Sequence, residues 1–206
     1  MKKKQIQTKV VVEIAIFAAV AVAFELLQTG LWRGVFTNGG SIGFSIVPIL
    51  LIGYRRGGLA AFITGLIVSL IQMLGGIYVI ASTWYNVLFQ VSLDYLFAFP
   101  IIALCALTRK SFLNNQSKKK RIFLLAIGSL FAGLGKFFLH FLAGILFWKN
   151  FDFKGGYVLY SLVYNGAYML PNIIIAIIVI IIVFLKIPQS MTLENEVKAD
   201  ELQENN

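Results

Sequence analysis

The sequence predicts an all-α membrane protein of six transmembrane helices, with both termini cytoplasmic and a short or broken second helix. Three observations carry this. Hydrophobic residues make up 59% of the 206 positions and charged residues 13%, against about 45–50% and about 25% in soluble domains. The apolar residues fall in long runs rather than in alternation, which excludes a membrane β-barrel. Basic residues gather in alternate connections between the runs, the pattern of a topology signal.

The runs follow in order. A bilayer core about 30 Å thick needs roughly 20 apolar residues at 1.5 Å each. Segment 1 spans about 6–28 and segment 2 about 42–54, with Pro48 inside it. Segment 3 spans about 58–75, segment 4 about 83–107, segment 5 about 122–148 and segment 6 about 157–186. Lipid offers the backbone no partners, so each is expected as a helix. Segment 2 is too short to span upright, so it is expected tilted or broken and packed on protein. Residues 1–188 form the membrane domain. Residues 189–206 form a polar tail with Glu194, Glu196, Asp200, Glu201 and Glu204, expected as a solvated end.

With the N-terminus inside, the cytoplasmic side holds Lys2, Lys3, Lys4, Lys9, Arg55, Arg56, Arg109, Lys110, Lys118, Lys119, Lys120, Arg121, Lys186 and Lys198. The outside holds Arg33, Lys149 and Lys154, and Lys136 lies within segment 5. The split requires segment 2 to cross. It also disposes of a nucleic-acid reading of the net charge of +9, because the cations sit in separated clusters beside apolar runs and contact lipid. The first run, with Ala19-Val20-Ala21 after Lys2-Lys3-Lys4, mimics a signal peptide, but its length predicts a retained helix.

Several chemistries are missing from the sequence. There is no GxxxxGK[ST]; Gly133-Leu134-Gly135-Lys136 is only a fragment of one, so no nucleotide engine is present. One histidine and one cysteine, Cys105, provide neither a metal cluster nor a disulfide framework. No cofactor is implied, and HExxH and GxSxG are both absent.

Ionisable groups within membrane helices are costly and mark cavities or partners. Asp94, His140 and Asn165 lie about 16, 12 and 12 Å from the outer ends of segments 4, 5 and 6. Three polar side chains on three helices at similar depth describe a pocket opening outward. Lys136, His140, Gly144 and Trp148 recur every four residues and share one helix face. Gly144, without a side chain, is expected to leave room for a flat ligand. Tyr157, Tyr160, Tyr164, Asn165, Tyr168 and Asn172 form a polar-aromatic stripe on segment 6, and segment 4 adds Trp84, Tyr85 and Tyr95. Rings attract a cation by about 0.5–2 kcal/mol each, and a carboxylate accepts from an amine. A flat, cationic, nitrogen-rich heterocycle fits such a set.

Plainer readings stand beside these. Tyr157, Tyr85 and Trp148 suit an interfacial belt. His140 suits a packed core histidine. Lys136 suits pairing with Asp94 or Glu13, or snorkelling. Glu25 and Glu13, near helix ends, suit solvation. Ala15, Ala19 and Ala23 make a smooth ridge on the first helix, for packing within the bundle or for docking another membrane subunit.

Four pieces now carry a resemblance: the Ala15-xxx-Ala19 ridge, Leu93-Asp94-Tyr95-Leu96-Phe97-Ala98-Phe99, the run from His140 through Gly144 to Trp148, and Tyr160-Ser161-Leu162-Val163-Tyr164-Asn165-Gly166. Over about residues 8–186 the chain resembles the thiamine-specific substrate-binding components of energy-coupling factor transporters. The resemblance implies a six-helix protein of the bacterial plasma membrane that holds thiamine in an outward pocket. It implies binding roles for Asp94, Tyr95, His140, Gly144, Trp148, Tyr160 and Asn165, for Trp84 ahead of the acid, and for Trp32 in the first outer loop. That loop would act as a lid, with Gly30, Gly34, Gly39 and Gly40 giving mobility. The implied partners are a transmembrane coupling subunit, docked on Ala15, Ala19 and Ala23, and two ATPase subunits. Other readings remain open: a binding component for another vitamin or a thiamine precursor, a stand-alone proton-coupled carrier, and an intramembrane enzyme using His140 and Asp94.

Overall fold

The structure, a computed structural model, describes residues 8–192. Among these every regular element is helical. The helices are α1 (Thr8–Trp32), α2 (Ile46–Arg56), α3 (Gly58–Leu74), α4 (Trp84–Val91), α5 (Arg109–Leu113), α6 (Lys118–Leu146) and α7 (Gly156–Lys186). α1, α6 and α7, of 25, 29 and 31 residues, are each long and apolar enough to cross a membrane. α3 has 17 residues and α2 only 11, short as expected of segment 2 and buried along most of its length.

Segment 4 corrects the sequence expectation of one continuous helix. α4 runs into a π-helical turn at Ser92–Leu96, breaks, and resumes as a 3₁₀ helix at Pro100–Thr108 that leads into α5. The two halves are bent by 50°. Pro100 has no N–H to continue the ladder. The break also has a close neighbour: a Cβ added at Gly65 of α3 would lie 2.6 Å from the Phe99 carbonyl atoms. Glycine there lets α3 seat against the kink.

The molecule divides into two halves. One holds the dense core, where Tyr54, Phe112, Ile102, Cys105, Leu125 and Ile180 are fully buried. At the edge of this half Glu13 is not simply solvated: it binds Arg55 at 3.1 Å and Arg56 at 2.6 Å. The first residues of the expected polar tail pack here too. Met191 is fully buried, and the Arg55 guanidinium donates to the carbonyls of Gln189, at 2.8 Å, and Thr192, at 3.1 Å. The acidic residues of that tail, and Lys2, Lys3, Lys4 and Lys198, lie outside the described residues. The other half opens into a cavity. α6 and α7 run through both halves, held close where Gly133 meets Ile173 and Gly144 meets Ser161.

Candidate functional site

The cavity has a volume of about 390 Å³ and is walled by α1, α3, the π-helical turn, α6, α7 and the loop 33–45. Asp94, Tyr95, His140, Gly144, Trp148, Tyr160 and Asn165 all line it. The π-helical turn presents Asp94 and Tyr95; such turns recur at functional sites. Asp94 Oδ2 accepts from the Trp148 indole N–H at 3.0 Å. Its Oδ1 lies 3.7 Å from His140 Nδ1. His140 stands on α6 and Trp148 in the turn just past its end at Leu146, so both reach the carboxylate from the same side. Trp148 stacks on Tyr78 at 5.3 Å, and the Tyr78 amide donates to the Tyr95 hydroxyl at 2.9 Å. The loop after α3 therefore braces the acid's surroundings.

Asn165 is committed to holding helices together. Its amide donates to Ser161 O at 2.9 Å and to His140 O at 3.3 Å, and its Oδ1 accepts from the Tyr168 hydroxyl at 2.6 Å. Gly144 lines the cavity and has a second role. A Cβ there would run into Ser161 Oγ, so its missing side chain serves the approach of α7 as well as the cavity wall.

Two expected site residues sit apart. Trp84 is 75% exposed and meets Tyr85 edge-on, outside the cavity wall. Ten residues ahead of Asp94, at about 3.6 residues per turn, it falls on a different face of the helix. Trp32 packs on Phe36 at 5.7 Å and does not line the cavity. Its neighbour Asn38 does: its backbone N–H donates to Tyr164 Oη at 3.0 Å and its side-chain amide to Tyr160 Oη at 3.1 Å. Tyr164 donates in turn to Gly39 O at 2.9 Å. Gly40, at φ +113°, passes so close to the Tyr168 ring that a Cβ would lie 2.6 Å from it. The loop thus closes over the cavity and latches onto α7.

The inner wall holds residues that sequence reasoning undervalued. Glu25 is buried, not solvated. It accepts from Gln28 at 2.8 Å and from Thr29 and Gln72 at 3.2 Å each. Gln28 also donates to Ser41 and Ser45, at 2.9 and 3.0 Å. Asn172 binds the same strip of chain, accepting from Gly43 N at 2.8 Å and donating to Ser41 O at 2.7 Å. Lys136 pairs with neither Asp94 nor Glu13; its Nζ lies 3.5 Å from the centre of the Phe99 ring. One available signal was Glu25 and Gln28 lying nearly one turn apart on an otherwise apolar helix. Among the described residues no group of three His, Cys, Asp or Glu could hold a metal ion. Ala15, Ala19 and Ala23 are exposed, while Ala18 and Ala21 are buried, so the ridge faces away from the bundle.

Residues 11–192 match the family described as "Thiamine transporter protein (Thia_YuaJ)". The chain belongs to this thiamine transporter family. Thiamine transporter ThiT of Bacillus subtilis is 32% identical over 187 residues, covering 86% of this chain and 91% of that protein. Thiamine transporter ThiT of Lacticaseibacillus paracasei is 31% identical over 196 residues, covering 89% and 90%. A solved structure of ThiT from Listeria monocytogenes superposes with a TM-score of 0.71 at 30% identity, covering 89% of this chain and 97% of that one. The all-helical architecture is therefore a fold of the thiamine transporter family.

Proposed function

We propose that this chain is the thiamine-binding membrane subunit of an ATP-driven energy-coupling factor importer in the bacterial plasma membrane. It captures thiamine from outside and releases it inward. The observation that carries this is the Asp94 carboxylate, set in a ring-lined cavity, accepting from the Trp148 indole N–H beside the His140 imidazole, with no lysine or arginine paired to it among the described residues. A cationic thiazolium supplies the missing charge and finds aromatic faces beside it. The relatives are transporters by name, so the role is binding and movement, not catalysis. With no P-loop in the sequence, ATP must be hydrolysed by partner subunits. The exposed ridge of Ala15, Ala19 and Ala23 suits a transmembrane coupling subunit, because small residues let helices approach closely. Both termini lie on the cytoplasmic side in this reading.

The test is a titration of purified protein with thiamine, followed by tryptophan fluorescence. Trp148 lines the cavity, so saturable quenching at nanomolar to micromolar thiamine is expected. A folded sample that does not respond, by fluorescence or by calorimetry, would overturn the reading.

A further inference from the structure

Gln90 is the only buried residue of α4, and it is fully buried. A glutamine amide brings both acceptor and donor sites that burial obliges it to fill. Its Oε1 accepts from the Ile80 and Ala81 N–H groups, at 3.2 and 3.1 Å, and its Nε2 donates to Tyr78 O over a longer 3.5 Å. Residues 76–82 have no regular structure, so their backbone groups need partners from elsewhere, and Gln90 meets three of them. The same loop is held a second time where the Tyr78 N–H donates to Tyr95 Oη at 2.9 Å. Tyr78 is thus fixed through both sides of its backbone, while its side chain is exposed and does not line the cavity. Its ring stacks on Trp148, 5.3 Å between centres and 23° between planes. Trp148 stands past the end of α6 at Leu146, so the helix does not fix its direction. Asp94 holds the indole by its N–H and Tyr78 holds it by a face.

We propose that Gln90 is a positioning residue for ligand binding: by shaping the loop after α3 it sets Tyr78 against Trp148, and so holds the indole in the orientation that the ligand meets. This rests on the thiamine reading of the cavity and adds to it a residue that never touches the vitamin. With one indole face on Tyr78, the other face is the one available to a cationic ring. An indole already held in place loses no freedom when the ligand arrives, which strengthens binding. If Gln90 only satisfied buried loop amides, its loss would lower stability and leave the indole where it is. The two roles therefore differ in what happens at Trp148.

The experiment measures thiamine affinity by calorimetry for the full chain in detergent, in wild type, Gln90→Met, Tyr78→Ala, Tyr78→Phe and the double variant of Gln90→Met with Tyr78→Ala. Gln90→Asn, whose amide falls one methylene short of the loop, replaces the methionine variant if that variant does not fold. Trp148 emission is read without ligand in the same set, with the other two tryptophans removed as Trp32→Phe and Trp84→Phe. Gln90→Met and Tyr78→Ala are each expected to weaken thiamine by about three- to tenfold, the scale of a lost aromatic pair, while Tyr78→Phe stays within about twofold. The double variant is expected to bind no more weakly than Tyr78→Ala alone, because the two residues act in series. Trp148 emission is expected to move to longer wavelength in Gln90→Met and Tyr78→Ala and to stay in place in Tyr78→Phe. Unchanged affinity in Gln90→Met would overturn the proposal, whatever its unfolding midpoint. So would losses that multiply in the double variant, or a Trp148 emission that Gln90→Met leaves in place. A wild type that does not bind thiamine would overturn the thiamine reading instead, and the ligand-free emission would still decide whether Gln90 holds the indole.

Discussion

A carboxylate inside a membrane protein is stable only when donors surround it. Asp94 has one within hydrogen-bond reach, Trp148 at 3.0 Å, with the His140 imidazole next at 3.7 Å, and among the described residues no lysine or arginine pairs with it. Asp94→Asn is therefore expected to weaken thiamine by about tenfold or more, the 1.5–3 kcal/mol of a charged hydrogen bond, in a fluorescence titration; unchanged affinity would remove Asp94 from the ligand. Gly144→Ala places a methyl group against Ser161. Overpacking of this kind costs about 1–3 kcal/mol, so its thermal unfolding midpoint should fall, and Gly144→Ala with Ser161→Gly should recover it. The meeting of Asp94, His140 and Trp148 was legible in the sequence because a lone acid in an apolar run is conspicuous and the four-residue spacing pointed His140 and Trp148 the same way, although α6 ends at Leu146. Glu25 was not, because its burial depends on the chain at 41–45 folding back over α1. The commitment of Asn165 to Ser161, His140 and Tyr168 was equally hidden: its place on the stripe says nothing of which groups its amide meets.

The bent segment around Asp94 and the loop 33–45 do the shaping at the scale of elements. The bend depends on α3 lying against it without a side chain at Gly65. Gly65→Ala should push α3 away from Phe99, at a cost of about 1–3 kcal/mol, and lower both the unfolding midpoint and thiamine affinity; an unchanged midpoint would show that the contact is dispensable. Pro100 was the only local sign of the break, since nothing in Ser92 to Leu96 forbids an ordinary α-helix. The misplacement of Trp84 has another origin: it precedes Asp94 by ten residues, which at about 3.6 per turn puts it on another helix face. The loop's latch rests on Asn38, Tyr160 and Tyr164. Tyr164→Phe removes the donor to Gly39 and the acceptor from Asn38. Thiamine should then dissociate about three- to tenfold faster, for roughly 1 kcal/mol of lost hydrogen bonding, in a stopped-flow measurement. No change in rate would place the opening motion elsewhere.

At the scale of the whole molecule, the division into a packed half and a hollow half gives each side a distinct task. The packed half carries the clusters of Arg55, Arg56, Arg109 and Arg121, and its ion pair with Glu13 ties α1 to α2. The long runs and the Lys/Arg asymmetry made the helical membrane class readable before any coordinates, because lipid leaves the backbone few choices. The cavity's outline was not readable, since it arises from a bend and a folded-over loop. The inward-termini topology is open to cysteine labelling: the sole native cysteine, Cys105, is fully buried. A cysteine replacing Asp152 should react with an impermeant reagent on intact cells, and one replacing Asn206 only after lysis. The reverse pattern would invert the orientation. The most direct measurement of all is an experimental structure of the chain with thiamine. The expected result places the vitamin in this cavity, its thiazolium within about 6 Å of an aromatic ring and facing the Asp94 carboxylate; thiamine bound at another place, with this cavity empty at saturating ligand, would contradict the account.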